Sequence, residues 1–283
     1  MVPLLKSKVT MYIPELPGYG LSSLPPKSDK RTVGNLIMEG LQSVFGKTRK
    51  VIWCGHDRGA RVGHRLLVDN KSSHNLTAAI LLDIVPTLEQ WRVFSNPAAA
   101  VAYWHWSFLA TPTAPQVIQL MGGGNYIHNS LDRVKGANEK GNARFREHNA
   151  VAHYAALFGK KETIEGSCAD YEAGAFEDVE EQWADYGADR RLRVPTVVGY
   201  SASNLGRMHD VDETWKNWAE DRKIRTVGIG EGYGHFLPEG ESLLLFLPLC
   251  VFPPTCLLLA MSNILIADYF LLHRVSGESR RDH

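Results

Sequence analysis

The sequence predicts an α/β protein: a mostly parallel sheet with helices on both faces, interrupted by a helical cap. Short apolar runs of strand type alternate with segments of helical periodicity, first over Lys8–Ile84 and again over Arg193–Ile229. Asp57, Asp83 and His235 each fall just past one of those apolar runs, at the strand ends where ligands gather in parallel sheets. Between the two halves, from Leu88 to Arg191, the chain is rich in Trp, Tyr and His and has no run of buried-strand type.

Lys8–Ile13 reads as the first strand, followed by the Pro/Gly loop that starts at Pro14. Thr32–Phe45 has helical spacing in Val33, Leu36, Ile37, Leu41 and Val44, and Gly46 suits its end. Val51–Cys54 is a strand and Ala60–Val68 a helix. Between them, Gly55-His56-Asp57-Arg58-Gly59 has glycines two residues either side of an aspartate, the pattern of a nucleophile elbow. Taken alone it is also a polar turn before an ordinary helix. Aspartate rather than serine at the centre points to an alkyl ester intermediate rather than an acyl one.

Leu76–Ile84 is the next strand and ends in Leu82-Asp83-Ile84. After the cap, Arg193–Tyr200 resumes the sheet, Asp212–Asp221 reads as a helix and Ile224–Ile229 as a strand. Gly232-Tyr233-Gly234-His235-Phe236 is then a glycine-rich loop with histidine at its tip. Singly, Asp83 could cap a loop and His235 could be a turn histidine. In chain order, Asp57, Asp83 and His235 supply nucleophile, acid and base, the order of an α/β-hydrolase.

Composition excludes several classes. The 283 residues are 44% hydrophobic and 22% charged with zero formal net charge, and carry no basic footprint for nucleic acid. Cys54, Cys168, Cys250 and Cys256 have neither metal-type nor disulfide-framework spacing, which fits a reducing compartment. The N-terminal stretch has no long apolar signal segment, so the cytoplasm is expected. No metal or cofactor is expected, and the partner is a small-molecule substrate. Oligomeric state, homodimer included, stays open.

With these residues in place, the chain resembles the fluoroacetate (haloacetate) dehalogenases, α/β-hydrolases related to haloalkane dehalogenases and epoxide hydrolases. The match runs from about Lys8 to Pro238 and is densest in GHDRGARVGHRL, LDIVPT, AYWHW, GSCADYEAG and GHF. The resemblance implies that Asp57 displaces halide from the α-carbon of a short 2-haloacid, that His235 activates water to hydrolyse the ester, and that Asp83 orients His235. It implies that Arg58 and Arg61 hold the substrate carboxylate, and that His105, Trp106 and Tyr171 line the halide pocket. It gives no role to His56, His64, His148 or His153.

The residue types suit that chemistry. In-line displacement needs the α-carbon held within near-attack distance of the carboxylate. Arg58 and Arg61 lie three apart at a helix start, so they share a face beside its positive end, and a guanidinium can grip a carboxylate through two parallel bonds. Imidazole, indole N–H and phenol O–H are donors for a departing halide. Epoxide hydrolysis through the same Asp57 and His235 is the runner-up. Its usual pair of cap tyrosines meets the His105-Trp106 pair at one position here, and the arginine pair favours an acid.

Two departures from the family follow. The family opens with further strands and a His-Gly-Phe-Pro type loop, whose backbone N–H completes the oxyanion hole with that of the residue after the nucleophile. The expectation is therefore a sheet lacking its first strands, with an unpaired edge, only the Arg58 N–H left for the oxyanion, and an inactive fragment as a further alternative. The second departure is the uncharged stretch Leu243–Ala267, long enough to span a bilayer but broken by Pro248, Pro253 and Pro254. It reads as a membrane anchor, a buried closing segment, or sequence foreign to the domain. The expected organisation is core 1–87, helical cap 88–191, core 192–240 and tail 241–283.

Overall fold

Six strands make a parallel sheet whose order in space is not its order in the chain. The computed structural model describes residues 2–240 and the backbone of residues 264–267. The strands are β1 (Thr10–Tyr12), β2 (Val51–His56), β3 (Leu76–Leu82), β4 (Thr196–Ser201), β5 (Ile224–Ile229) and β6 (Ile264–Ala267), and the sheet runs β1-β6-β2-β3-β4-β5. Every neighbouring pair is parallel. Parallel pairing demands a crossover between strands. A short helix, α1 (Val2–Leu5), precedes β1; α2 (Lys30–Phe45) and α3 (Arg58–Asp69) then cross from β1 to β2 and from β2 to β3.

The apolar runs explain the order. β2 and β3 are buried along nearly their whole length, as strands covered on both faces must be. β5, which carries Arg225 and Thr226, is only partly buried and forms an edge. β2 is paired on its far side, Val51 opposite Ile264 and Cys54 opposite Ala267, while Thr10 of β1 also registers with Ile264, which leaves β1 as the edge strand among the described residues. A strand at the end of the apolar stretch thus stands between β1 and β2. Residues 243–263 of that stretch lie outside the described residues. Among the described residues no helix is long and apolar enough to cross a membrane.

Helix α2 starts two residues before the expected Thr32, because the Asp29 side chain accepts from Thr32 N and caps it. The helix expected over Asp212–Asp221 is shorter, α13 (Val211–Lys216). Beyond it Trp218 turns inward to full burial and the chain bridges to Leu192, which ends the helical hydrogen bonding. The core packs α2 and α3 on the sheet through Met38, Leu41, Leu66 and Trp53. Trp53 donates to Gly59 O at 3.0 Å and leaves no room at Gly63, where an added Cβ would sit 2.3 Å from the indole nitrogen.

Between β3 and β4 the chain runs through helices α4 (Thr87–Arg92), α5 (Pro97–Ala102), α6 (Trp104–Leu109), α7 (Ala114–Met121), α8 (Gly123–Val134), α9 (Glu139–Arg146), α10 (Ala150–Phe158), α11 (Lys161–Ala175) and α12 (Glu177–Gly187). They build their own apolar cluster around Ile118, Tyr126, Leu131, Phe145, Tyr154 and Phe158. Buried ions fasten them to the sheet half: Lys30 at the start of α2 meets Asp178 of α12 at 2.8 Å, and Arg65 of α3 meets Asp185 of α12.

Candidate active site

Asp57 stands between β2 and α3 with φ 45° and ψ −111°, a conformation costly for any side chain but glycine's. The turn is tight enough to require glycine before it. A Cβ on Gly55 would lie 2.5 Å from the Gly59 carbonyl. The strand-to-helix corner therefore projects the Asp57 carboxylate from the top of the sheet, at the positive end of α3.

Asp83, just past β3, also has a positive φ of 53°. Its Oδ1 accepts from Ser201 N at 2.6 Å and Ser201 Oγ at 2.7 Å, and its Oδ2 lies 2.7 Å from His235 Nδ1. The other imidazole nitrogen, His235 Nε2, lies 3.6 Å from Asp57 Oδ2. Burial alone would lower the imidazole's pKa, but the carboxylates of Asp57 and Asp83 outweigh it and raise His235 to about 10. Burial pushes Asp57 up, while His235, Arg58 and Arg61 together hold it well below the usual carboxylate range. The resting arrangement is an imidazolium between two carboxylates.

Arg58 and Arg61 are both buried, at 4% exposure each. Arg58 has its Nε–Nη2 edge committed inside the protein, whereas Arg61 commits only Nη1. The Nε of Arg58 is held by Asp170 Oδ2 and its Nη2 donates to Asp170 O at 2.9 Å. Its Nη1 is buried with no hydrogen-bond partner among the described residues. Arg61 spends Nη1 on Val85 O and Thr87 Oγ1, at 3.0 and 3.3 Å. Its Nε is likewise unpartnered, 3.8 Å from Asp57 Oδ1. Both guanidinium groups lie against aromatic faces, Arg58 4.1 Å from the Tyr171 ring centre and Arg61 4.4 Å from that of Trp106.

These groups share a cavity of about 140 Å³, and every residue singled out from the sequence lines it: Asp57, Arg58, Arg61, Asp83, His105, Trp106, Tyr171 and His235. The rings of His105 and Trp106 lie 6.0 and 5.6 Å from that of Tyr171. Arg133 Nη2 sits 2.9 Å from His105 Nδ1. A guanidinium only donates, so Nδ1 accepts and Nε2 carries the proton of a neutral ring. Burial and Arg133 lower His105 to about 3, which keeps it neutral.

Several lining residues escaped the sequence reading. His56 is one: its Nε2 is 2.8 Å from His235 O. Its position immediately before Asp57, at the top of β2, was the available signal. Tyr103 and Tyr126 also line the cavity; the Tyr103 hydroxyl is buried with no hydrogen-bond partner among the described residues, and Ser130 stands beside that of Tyr126. Burial raises both, Tyr126 to about 12. AYWHW contained Tyr103, but nothing in the spacing distinguished it from packing. Among the described residues no group of His, Cys, Asp and Glu is placed to hold a metal ion.

An aspartate on a strand-to-helix elbow, an Asp–histidine pair on later strands of a parallel sheet and a helical layer over them together define a class. The chain belongs to the α/β-hydrolase family. It is 32% identical, over 211 residues, to the fluoroacetate dehalogenase of Burkholderia sp, a match that covers 72% of this chain and 66% of that protein, just under two thirds. A solved structure from Nostoc sp PCC 7120, named as an α/β hydrolase, is 30% identical with a TM-score of 0.71, covering 84% of this chain and 79% of the other. Another from Pseudomonas aeruginosa, named as an epoxide hydrolase, is 27% identical with a TM-score of 0.71, covering 87% and 79%. No protein-family model matches the chain.

Proposed function

We propose that this chain hydrolyses the carbon–halogen bond of short 2-haloacids such as fluoroacetate, through an ester on Asp57. The observation that carries the reading is that Arg58 Nη1 and Arg61 Nε are buried without a hydrogen-bond partner among the described residues, on side chains that line the cavity of the elbow aspartate. Unsatisfied buried cationic donors are costly unless a ligand accepts from them, and a carboxylate is the ligand they suit. One nitrogen from each arginine would hold the acid and set its α-carbon before Asp57.

A carboxylate oxygen of Asp57 attacks the α-carbon, the C–O bond forms as the carbon–halogen bond breaks, and halide leaves with the bonding pair. The neutral His105 N–H, with Trp106 and Tyr171, supplies donors for that charge. Esterification removes the Asp57 charge. One of the two carboxylates that raise His235 is then gone, so its pKa falls and the ring can lose its proton. Neutral His235 takes a proton from water as hydroxide attacks the ester carbonyl; the bond from the carbonyl carbon to the alkyl oxygen breaks, that oxygen takes the proton of the added hydroxyl, and the hydroxyacid leaves with Asp57 restored as a carboxylate.

Epoxide hydrolysis through the same Asp57 and His235 is the second reading. The buried hydroxyls of Tyr103 and Tyr126 in the cavity lining favour it, since phenols can protonate an epoxide oxygen. Intact mass after incubation with chloroacetate or an aryl epoxide, beside Asp57→Asn, separates the two. A haloacid adduct that needs Asp57, or catalytic halide release, supports the dehalogenase. An epoxide adduct alone moves the chain to the second reading, and no adduct with either from folded protein rejects both.

A further inference from the structure

The carboxylate of Asp170 has no part in the bond-making steps above, yet it is where the buried polar groups behind the cavity converge. Its Oδ2 holds the Arg58 Nε and accepts from the Tyr19 hydroxyl at 2.7 Å. Its Oδ1 lies 2.6 Å from Lys30 Nζ. Its backbone oxygen takes Arg58 Nη2 at 2.9 Å and Lys30 Nζ at 3.3 Å. Lys30 is in turn held by Asp178, whose Oδ2 faces Nζ and whose Oδ1 accepts from Lys30 N, both at 2.8 Å. All of these groups are buried: Tyr19 5%, Lys30 2%, Arg58 4%, Asp170 7% and Asp178 2% exposed.

We propose that Asp170 is a positioning residue for substrate carboxylate, acting through Arg58: it consumes the Nε–Nη2 edge of the guanidinium and so presents Nη1 to the cavity. The inference rests on the carboxylate-binding reading above.

A guanidinium has two ways to meet a carboxylate, side-on through Nε and Nη2 or end-on through its two terminal nitrogens. Here the side-on edge is spent inside the protein. Tyr171, the next residue, covers the guanidinium face with its ring centre 4.1 Å from Cζ. One turn of α11 therefore holds Arg58 by its edge and by its face, and Nη1 is what remains. Lys30 keeps the arrangement affordable, because a carboxylate serving Arg58 alone would be buried with acceptor capacity unmet. Asp170 also lies on a helix distant in sequence from the elbow, so it fixes where α11, and Tyr171 with it, stands against Asp57.

The test uses the full chain carrying Asp57→Asn, which cannot form the ester, with acetate and the neutral isostere acetamide as probes in titration calorimetry. With Asp170 intact, acetate is expected to bind better than acetamide. Adding Asp170→Asn should weaken acetate by roughly tenfold or more, the scale of one hydrogen bond to a charged group, with acetamide changed by less than about twofold. Asp170→Glu keeps the charge and should fall between. With Asp57 restored, Asp170→Asn should raise KM for chloroacetate far more than it lowers kcat, a split that general loss of structure does not give. Should Asp170→Asn fail to fold, Asp170→Glu carries the test, with acetate weakened about threefold or more expected. Acetate selectivity that survives both substitutions overturns the positioning role alone. Acetate bound no better than acetamide when Asp170 is intact overturns the carboxylate site, and this inference with it.

Discussion

His56 donates from Nε2 to the backbone carbonyl of His235, 2.8 Å away, and the two imidazole rings stand 4.5 Å apart. Burial, with His235 beside it, lowers His56 to about 4. The ring is therefore neutral, and its single N–H goes to the acceptor in reach. The residue before the elbow aspartate thereby fixes the loop that carries the histidine. His56→Leu is expected to slow ester hydrolysis by about tenfold or more while sparing ester formation, because only the second step needs His235 in place. Rapid-quench intact mass would then show ester building up on Asp57; hydrolysis at the parent rate would reject the role.

His235→Gln should go further and trap the ester. The expected product with chloroacetate is a stable adduct on Asp57 with about one halide released per chain, since general-base help is worth roughly 10²–10⁴ in rate. Multiple turnovers by this variant would remove His235 from the mechanism.

The two chemical steps should respond differently to pH. Asp57 is held well below the ordinary carboxylate range, so ester formation should be flat from about pH 5 to 8. His235 stands at about 10 only while Asp57 is charged, so hydrolysis of preformed ester should show its inflection below that value. Stability carries the opposite sign. A histidine raised from about 6.5 contributes stability that is complete below 6.5 and lost as pH climbs through about 10. The melting-temperature advantage of the parent over His235→Gln should therefore shrink between those limits, and an advantage that grows with pH would contradict the ion contacts.

Arg61→Leu should abolish haloacid turnover, since it removes a buried cationic donor beside Asp57, and leave a neutral epoxide largely unaffected. Equal loss with both substrates would sink the carboxylate assignment. Gly55→Ala tests the elbow itself. The added methyl meets the Gly59 carbonyl at 2.5 Å, and the forced backbone shift should cost about 1–3 kcal/mol, measured by denaturant unfolding.

Much of this was legible in the chain. The alternation of apolar runs and helical stretches placed β2, β3, β4 and β5, and the elbow glycines marked Asp57, because periodicity and turn chemistry are local. What escaped was set by groups far apart in sequence. Asp170 was inside a recognised motif, but its hold on Arg58 crosses 112 residues and its hold on Lys30 crosses 140. The spacing of Arg58 and Arg61 placed them on one face, but not the contacts that commit Nε and Nη2 of Arg58 to Asp170 and Nη1 of Arg61 to Val85 and Thr87. The pairing of β6 with β2 was equally beyond reach, since neighbours in a sheet need not be neighbours in the chain.

The histidine loop is tied to the helical layer as well as to the sheet. His235 N donates to Val134 O at 2.8 Å, Ala137 N and Asn138 N both donate to Gly232 O, and Gly136 bridges to Tyr233. Val134 and His235 both line the cavity, so a displacement of the end of α8 would carry His235 with it. Under the proposed reaction, traffic and chemistry would then alternate like an airlock: with α8 displaced for product to leave and substrate to enter, His235 would be out of register.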